Sequence, residues 1–328
     1  MSLLSLPVGQ RPTQATISCV IPALNECHNL QQLLPELEQL FAQEGLACEL
    51  IVVDDGSSDG TAIWAQSWPG KTPRRYLQLS RNFGKEAALS AGLQVCRGDA
   101  VILLDADLQH PPQLIKTMVS KWQAGVDMVY ATRSHRQDES TFKRWGSRFF
   151  YRLMGQGHRF AIPPNAGDFR LMDRLVVNAL LQLPERTRFM KGLYAWVGFT
   201  TEAVEYQPLP RQYGQSHFNR LKLIKLALDG ITAFSTGPLT ALTLIGATLA
   251  GLAIAYSLYI VAEYVLIGNP VSGWVTLATS ILFFSGVNLF GMGLLGTYIG
   301  RIFDEVKQRP LYVIRHDSGQ PTEGARHV

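Results

Sequence analysis

The chain has 328 residues and a formal net charge of +4, and its charged fraction of 17% lies below the roughly 25% of an average soluble domain. The basic residues form no long run, and the four cysteines have no C-x-x-C spacing. These features argue against a nucleic-acid-binding protein, a metal site built on cysteines and a disulfide scaffold. The charge deficit lies in residues 230–262 and 264–300, which contain no charged side chain.

Residues 1–14 have neither a basic start nor an apolar run, which predicts a disordered tail rather than a signal peptide. Residues 15–215 form the next predicted unit, in which short apolar runs alternate with segments whose apolar residues recur at helical spacing. The predicted elements, in chain order, are a strand at 16–22, a helix at 26–43, a strand at 50–54, a helix at 57–67, a strand at 76–79, a helix at 85–96, a strand at 100–105, a helix at 112–124, a strand at 127–132 and a helix at 174–183.

The predicted strands are continuous apolar runs, which is typical of a mostly parallel sheet with helices on both faces. This is an α/β domain of the Rossmann-like kind. Ligands of such sheets bind at the carboxyl ends of the strands. Polar residues follow the predicted strands at those ends, so we expect the functional site there.

The C-terminal third predicts membrane contact. Residues 216–235 alternate basic and apolar side chains, as in an amphipathic helix at a membrane interface. Residues 236–268 and 272–300 are each long enough to span a bilayer and form a predicted hairpin, because the link between them is so short. Basic residues flank both outer ends, which predicts a cytoplasmic location for the α/β domain and for the tail at 301–328. The alternative is a pair of buried helices in a soluble protein.

Asp105, Asp107 and Gln109 follow a buried apolar strand. Two carboxylates and an amide oxygen form a hard-oxygen ligand set, which Mg²⁺ or Mn²⁺ prefers and completes with substrate phosphates. The sequence therefore predicts a divalent metal site at this strand end.

A second polar cluster follows the strand at 50–54, where Asp54 and Asp55 lead into a turn of glycine, serine and aspartate. Asp54 is placed to accept hydrogen bonds from a base or a ribose, and Asp59 or Ser58 to cap the next helix. A third cluster, Pro22 to Glu26, follows the first strand. Neither GxGxxG nor GxxxxGK[ST] occurs, which weakens dinucleotide and P-loop interpretations.

The motifs PALNE, VVDDGSSDGT, SRNFGKEAAL and DADLQHPP, in this order, resemble glycosyltransferase family 2. GDFRLM, LALDGITAFST and GMGLLGTYIGRIFDEVKQRP are similar to segments of the bacterial polyprenyl-phosphate sugar transferases, relatives of dolichyl-phosphate mannose synthase. The resemblance implies a GT-A fold and an inverting transfer of a sugar from a nucleotide-sugar to undecaprenyl phosphate. It also implies a multi-pass protein of the bacterial inner membrane.

The resemblance assigns roles to individual residues. The expected nucleotide-binding residues are Pro22, Asn25, Glu26, Asp54, Asp55, Lys85 and Asp105. The expected catalytic residues are Asp107, Asp168, Arg211 and His217. The residues expected near the lipid phosphate are Arg133, Lys143, Arg144 and Ser147. Since the acceptor phosphate is already ionised, no strong general base is required.

The chain departs from the family pattern in the loop around Arg211, where Pro208 and His217 stand at positions that relatives often fill with Arg and Lys. Either the nucleotide phosphates are held more weakly or substrate choice differs.

We expect UDP-glucose as the donor, in cell-envelope or O-antigen modification. GDP-mannose, UDP-N-acetylhexosamine and aminoarabinose donors remain alternatives, as does a non-catalytic partner of a flippase. Expected partners are membrane lipids, a second copy of the chain, a flippase and a downstream transferase.

Overall fold

A computed structural model describes residues 11–12, 14–133, 166–186, 188–207, 237–267 and 273–319. The elements in chain order are β1 (Thr16–Ala23), α1 (Cys27–Gln43), β2 (Ala47–Asp54), α2 (Thr61–Ser67), β3 (Arg74–Leu79), α3 (Lys85–Val95), β4 (Ala100–Leu103), α4 (Leu114–Gln123), β5 (Met128–Arg133), β6 (Ala166–Asp173), α5 (Arg174–Gln182), α6 (Met190–Trp196), β7 (Thr201–Tyr206), α7 (Gly237–Ile267), α8 (Trp274–Lys307) and β8 (Ile314–Asp317).

The eight strands form one sheet in the order β7-β5-β6-β4-β1-β2-β3-β8. The pairs β1–β2, β1–β4, β2–β3 and β5–β7 are parallel, which confirms the predicted mostly parallel sheet. β6 runs antiparallel between β4 and β5, and β8 runs antiparallel beside β3. The parallel strands bring their carboxyl ends to one edge of the sheet, and β6 begins at that same edge.

Each face of the sheet carries its own apolar layer, because successive strand residues point to opposite faces. On β1, Ile17, Cys19 and Ile21 pack with one cluster, which includes Phe41 of α1 and Trp122 of α4. Val20 points the other way and packs with the cluster that contains α3 and α5. Burial on both faces explains why the central strands are apolar throughout rather than alternating.

Helix α3 lies unusually close to the sheet because it carries a glycine at the contact. A Cβ atom added to Gly92 would lie 2.2 Å from Cγ1 of Val20 and 3.2 Å from Cγ2 of Val53. A side chain at this position would have to displace Val20 or the helix. This close approach fixes the first turn of α3, which carries Lys85, against the end of the sheet.

Arg11 is held in place although it falls within the segment that the sequence predicts as a disordered tail. Its guanidinium is 2.7 Å from the carboxylate of Asp127 and lies over the indole ring of Trp122, 5.2 Å from its centre. The guanidinium also approaches Asp173, at 3.4 Å. The charge pairs with these two carboxylates and the contact with the indole ring hold Arg11 against the α/β domain.

Helices α7 and α8 contain 31 and 34 residues and contact each other, with Leu242 beside Gly291. Their apolar side chains face outward: Leu244 is 70% exposed, Leu266 81% and Phe290 72%. In the described residues, one stretch, Phe283–Lys307, has the length and mean hydropathy of a membrane span. Helix α8 continues seven residues beyond the predicted end at residue 300. The predicted interfacial helix at 216–235 lies outside the described residues.

Replacing Gly92 with Ala tests the close contact of α3 with the sheet. The new methyl group must displace Val20 or the helix, so we expect the free energy of unfolding to fall by about 1–3 kcal/mol. Thermal unfolding of the purified protein measures the change. Gln32→Ala, on the exposed face of α1, is the matched control, and we expect a change within about 0.5 kcal/mol. Equal stability of Gly92→Ala and the wild type would contradict the packing argument.

Candidate active site

The loops that follow β1 and β2 are joined by hydrogen bonds at the carboxyl edge of the sheet. The amide of Asn25 donates to Oγ of Ser57 at 2.9 Å, and the amide of Ser58 donates to Oδ1 of Asn25 at 2.8 Å. Asn25 adopts a left-handed backbone conformation with φ of 57°, which asparagine tolerates better than most residues. These hydrogen bonds thus join the two loops into one continuous surface beside the strand ends.

Asp54, expected to bind the nucleoside, is fully buried. One oxygen accepts a hydrogen bond from the amide of Ser57 at 2.7 Å, and the other accepts from the hydroxyl of Tyr76 at 2.6 Å. Burial raises the pKa of Tyr76, and its bond to Asp54 raises it further. Asp54 therefore shapes the turn that follows β2, and its oxygens are directed at protein groups rather than at solvent.

Asp55, the next residue, organises the loop that precedes α3. Its two oxygens accept hydrogen bonds from the amides of Phe83 and Gly84, at 2.7 and 2.9 Å. Burial raises its pKa, although these two amide donors act in the opposite direction. Gly56 permits the contact, because a Cβ atom there would lie 2.6 Å from the backbone carbon of Arg81. The side chains of these two consecutive acids thereby join the end of β2 to β3 and to the loop that follows it.

Lys85 is the centre of the charged site. Its ammonium nitrogen is 2.6 and 2.8 Å from the two carboxylate oxygens of Asp105 and 2.6 Å from Oδ2 of Asp168. The three residues come from the start of α3, the loop that follows β4 and the start of β6. The predicted nucleotide-binding and catalytic residues Lys85, Asp105 and Asp168 therefore lie in one ion cluster. Their side chains are partly open to solvent, with 39% of Lys85 exposed and 24% of each acid.

The cluster fixes the charge of Asp168. Burial by itself would raise the pKa of this carboxyl group, but the ammonium of Lys85, with a smaller contribution from Lys191, lowers it to about 2. For Lys85, burial favours the neutral form, but Asp105 and Asp168 together raise its pKa. Lys85 and Asp168 are therefore both charged near neutral pH.

Asp107 and Gln109 follow Asp105 on a tight turn. The amide of Gln109 donates to Oδ1 of Asp107 at 3.2 Å, and Leu108 between them has a left-handed φ of 57°. In the described part of the chain no group of three or more His, Cys, Asp or Glu side chains is arranged to hold a metal ion. Two carboxylates and an amide oxygen fit Mg²⁺ or Mn²⁺ when substrate phosphates complete the shell, since such ions often use one or two carboxylates.

His110 packs beside the turn that carries Asp105 and was not singled out from the sequence. It is 6% exposed and lies between the rings of Phe169 and Tyr206, with ring centres 5.2 and 5.1 Å away. Its Nε2 atom is 4.0 Å from Oδ2 of Asp105. The imidazole thus fills the space between β6, β7 and the loop that carries Asp105.

A buried polar group behind the ion cluster was also missed. Arg170 is 3% exposed, donates to the carbonyl of Gly167 at 2.7 Å and lies 3.5 Å above the ring of Tyr194. Glu86, next to Lys85, has one carboxylate oxygen that is shielded from solvent and has no hydrogen-bond partner. Burial, and then the charge of Asp168, raises the pKa of Glu86 to about 7. Its place in the SRNFGKEAAL motif was the only signal in the sequence.

The other predicted residues fall into two groups. Pro22 lies on β1 opposite Val53, and Glu26 accepts a hydrogen bond from Asn29 at 2.5 Å. Arg133 is the last residue of β5, at the edge of the sheet where the parallel strands end. The remaining predicted site residues lie outside the described residues, and their roles stay predictions: Lys143, Arg144, Ser147, Arg211 and His217.

The comparisons with known proteins extend this picture. Residues 18–181 match the family described as Glycosyl transferase family 2. The SfII prophage-derived bactoprenol glucosyl transferase of Shigella flexneri is 44% identical to this chain over 91% of it and 97% of the relative. The chain belongs to glycosyl transferase family 2. A prophage bactoprenol glucosyl transferase homolog of Escherichia coli is 42% identical over 91% of this chain and 98% of its own length.

An uncharacterized glycosyltransferase of Synechocystis is 46% identical, over 91% of this chain and 94% of the relative. Membership of glycosyl transferase family 2 confirms the GT-A fold and the assignment of the chain as a glycosyltransferase. The ion cluster of Lys85, Asp105 and Asp168 is thus the candidate active site of a family 2 enzyme.

Glu86→Gln tests the buried carboxyl group behind the cluster. Because the folded protein raises the pKa of Glu86 from 4.5 to about 7, folding favours its neutral form. Stability contributed by this group is complete below about pH 4.5 and is lost as the pH rises through 7. We expect Glu86→Gln to melt at the wild-type temperature at pH 5 and above it at pH 8. Glu205→Gln, on exposed β7, is the control and keeps the wild-type pH profile. A parallel fall of Glu86→Gln and wild type between pH 5 and 8 would contradict the assignment.

Proposed function

We propose that this protein transfers a sugar from a nucleotide-sugar, with UDP-glucose as the first candidate, to undecaprenyl phosphate at the cytoplasmic membrane face. The observation that carries the proposal is the extent of the match to the Shigella relative, which spans 303 residues. That length exceeds the α/β domain of residues 15–215. It therefore reaches into the apolar C-terminal helices, which a transferase with a soluble acceptor does not need.

The chemistry of the site suits this reaction. An oxygen of the acceptor phosphate forms a bond to the anomeric carbon of the sugar, and the nucleoside diphosphate leaves with the electron pair of the broken bond. The acceptor oxygen carries no proton near neutral pH, so the site has no need of a strong base. The permanently ionised Asp168 is accordingly suited to orient the sugar and Lys85, rather than to accept a proton.

Asp105, Asp107 and Gln109 are the residues that would hold Mg²⁺ or Mn²⁺. The ion would supply charge neutralisation for the leaving diphosphate. Lys85 adds a second, permanent cation next to Asp105. The protein itself contributes fixed positions for these charges, so little reorganisation is needed when negative charge moves to the diphosphate.

A donor panel tests the reaction, with purified protein, undecaprenyl phosphate, Mg²⁺ or Mn²⁺, and UDP- and GDP-sugars. We expect release of nucleoside diphosphate and formation of a lipid-linked sugar with UDP-glucose. Asp107→Asn should lower turnover about 10²-fold or more, because the metal ion supplies several kcal/mol to the transition state. Asp99→Asn, whose carboxylate binds the amide of Thr16 away from the site, is the matched control.

Absence of turnover with every donor would refute the proposed function. Retained activity in Asp107→Asn would refute the metal assignment alone. Turnover with GDP-mannose or UDP-N-acetylhexosamine in place of UDP-glucose would keep the reaction class and change the donor.

The proposed membrane topology places residue 269 on the side opposite the catalytic domain. We expect Asn269→Cys to react with a membrane-impermeant maleimide in intact spheroplasts. The wild-type chain is its own control, because its four cysteines lie in the α/β domain and should react only after lysis. Labelling of the wild type in intact spheroplasts, or protection of Asn269→Cys, would contradict the topology.

A further inference from the structure

The chain returns to the catalytic domain after its last long helix. We call residues 308–319 the C-terminal segment. Gln308 ends α8 in a left-handed conformation with φ of 49°, and the chain then forms β8. β8 pairs antiparallel with β3, so that Leu79 faces Ile314 and Leu77 faces Asp317. A segment expected to be a simple tail is therefore an edge strand of the sheet.

An ion pair fixes the far end of the C-terminal segment. The guanidinium of Arg75 binds both carboxylate oxygens of Asp317, at 2.8 and 2.6 Å. The pair is largely shielded, with 17% of the Arg75 side chain and 6% of the Asp317 side chain exposed. The hydrogen bond raises the pKa of Arg75 and lowers that of Asp317. Two hydrogen bonds between Ser318 and the backbone of Tyr76 continue the attachment.

The near end is fixed to the loop before α6 and to α3. The carboxylate of Glu305, in the last turn of α8, accepts hydrogen bonds from the amide of Arg186 at 2.8 and 3.1 Å. The guanidinium of Arg186 donates to the carbonyl of Arg309 at 3.0 Å. The hydroxyl of Tyr312 is bonded to the side chain of Gln94 on α3, and Tyr312 packs on the apolar cluster of that helix.

These attachments join a continuous 34-residue helix to the elements that form the site. α3 begins with Lys85, and the amide of Ser80 at the end of β3 donates to the carbonyl of Val313 at 2.8 Å. Tyr76, held by Ser318, in turn donates to Asp54. A rotation of α8 against the catalytic domain would have to break these contacts together.

We propose that the pair of Arg75 and Asp317 is a positioning pair, which holds the catalytic domain at one height and tilt above the bilayer. This proposal rests on the proposed function, because the height matters only when the phosphate acceptor is embedded in the membrane. The acceptor phosphate cannot travel to the site, so the site must be presented at the level of the lipid headgroups. Neither residue touches the substrates, and both act through the C-terminal segment.

Two acceptors separate this role from a general structural one. Undecaprenyl phosphate in proteoliposomes depends on the height of the site, whereas a short, water-soluble prenyl phosphate in detergent does not. We expect Asp317→Ala to raise KM for the membrane acceptor about tenfold or more, since misplacing reacting groups by about 1 Å costs up to about 10²-fold. KM for the nucleotide-sugar, and kcat/KM for the short acceptor, should stay within about twofold.

The double variant Arg75→Asp with Asp317→Arg should restore the pair and much of the lost activity. Glu44→Ala, which removes the carboxylate partner of the exposed Lys116, is the matched control and should leave activity with both acceptors unaffected. An equal loss with both acceptors, or no loss with either, would overturn the positioning role. Thermal unfolding identifies any variant that fails to fold. If Asp317→Ala does not fold, the activity of the double variant with the membrane acceptor tests the positioning role instead.

A measurement without turnover keeps this inference separate from the proposed function. Ile63, 78% exposed on α2, is replaced with Cys in a cysteine-free background and labelled with a fluorescent donor. Energy transfer to a headgroup dye in proteoliposomes reports the height of the domain. We expect Asp317→Ala to change or broaden this distance. An identical distance in the wild type and in Asp317→Ala would refute the positioning role, even if the enzyme is active. A wild type that is inactive with both acceptors would count against the proposed function alone.

Discussion

One ammonium group, that of Lys85, lies between the carboxylates of Asp105 and Asp168. Two carboxylates that meet at a half-buried sheet edge repel each other, and a fixed cation removes that repulsion. The three residues lie at the start of α3, just after β4 and at the start of β6, so their attraction joins these three parts of the domain. The packing of Gly92 on the sheet holds the other end of α3 close enough for the lysine to reach both acids. The active-site charges thus depend on an apolar contact two turns away.

The acidic residues along the carboxyl edge of the sheet differ in how deeply they are buried. Asp54 and Asp55 are buried and bind backbone amides or the hydroxyl of Tyr76. Asp105 and Asp107 remain partly open to solvent. The two pairs of acids therefore differ in burial, a difference that the motif letters alone do not show.

The central strands and most helices followed from the sequence, because β1 to β4 are apolar runs and α1 and α4 have helical spacing. β6, β7 and β8 did not. β7 has only Val204 and Tyr206 buried, β8 is four residues long, and β6 carries the polar residues Asp168 and Arg170. The turn of Asp105, Asp107 and Gln109 could be proposed as a metal site from the sequence because the three residues are neighbours along the chain. The contacts of Lys85 with Asp168, and of Arg75 with Asp317, join residues 83 and 242 positions apart, and no local pattern encodes such pairs.

The position of β8 has a consequence for biosynthesis. Its residues are made after both long helices, yet they complete the sheet by covering the edge of β3. Until then β3 presents unpaired backbone groups to other chains, which is a known route to aggregation. Final folding of the catalytic domain must therefore follow translation of the apolar helices. A protein cut before residue 314 would lack this protecting strand, whether or not its active-site residues are intact.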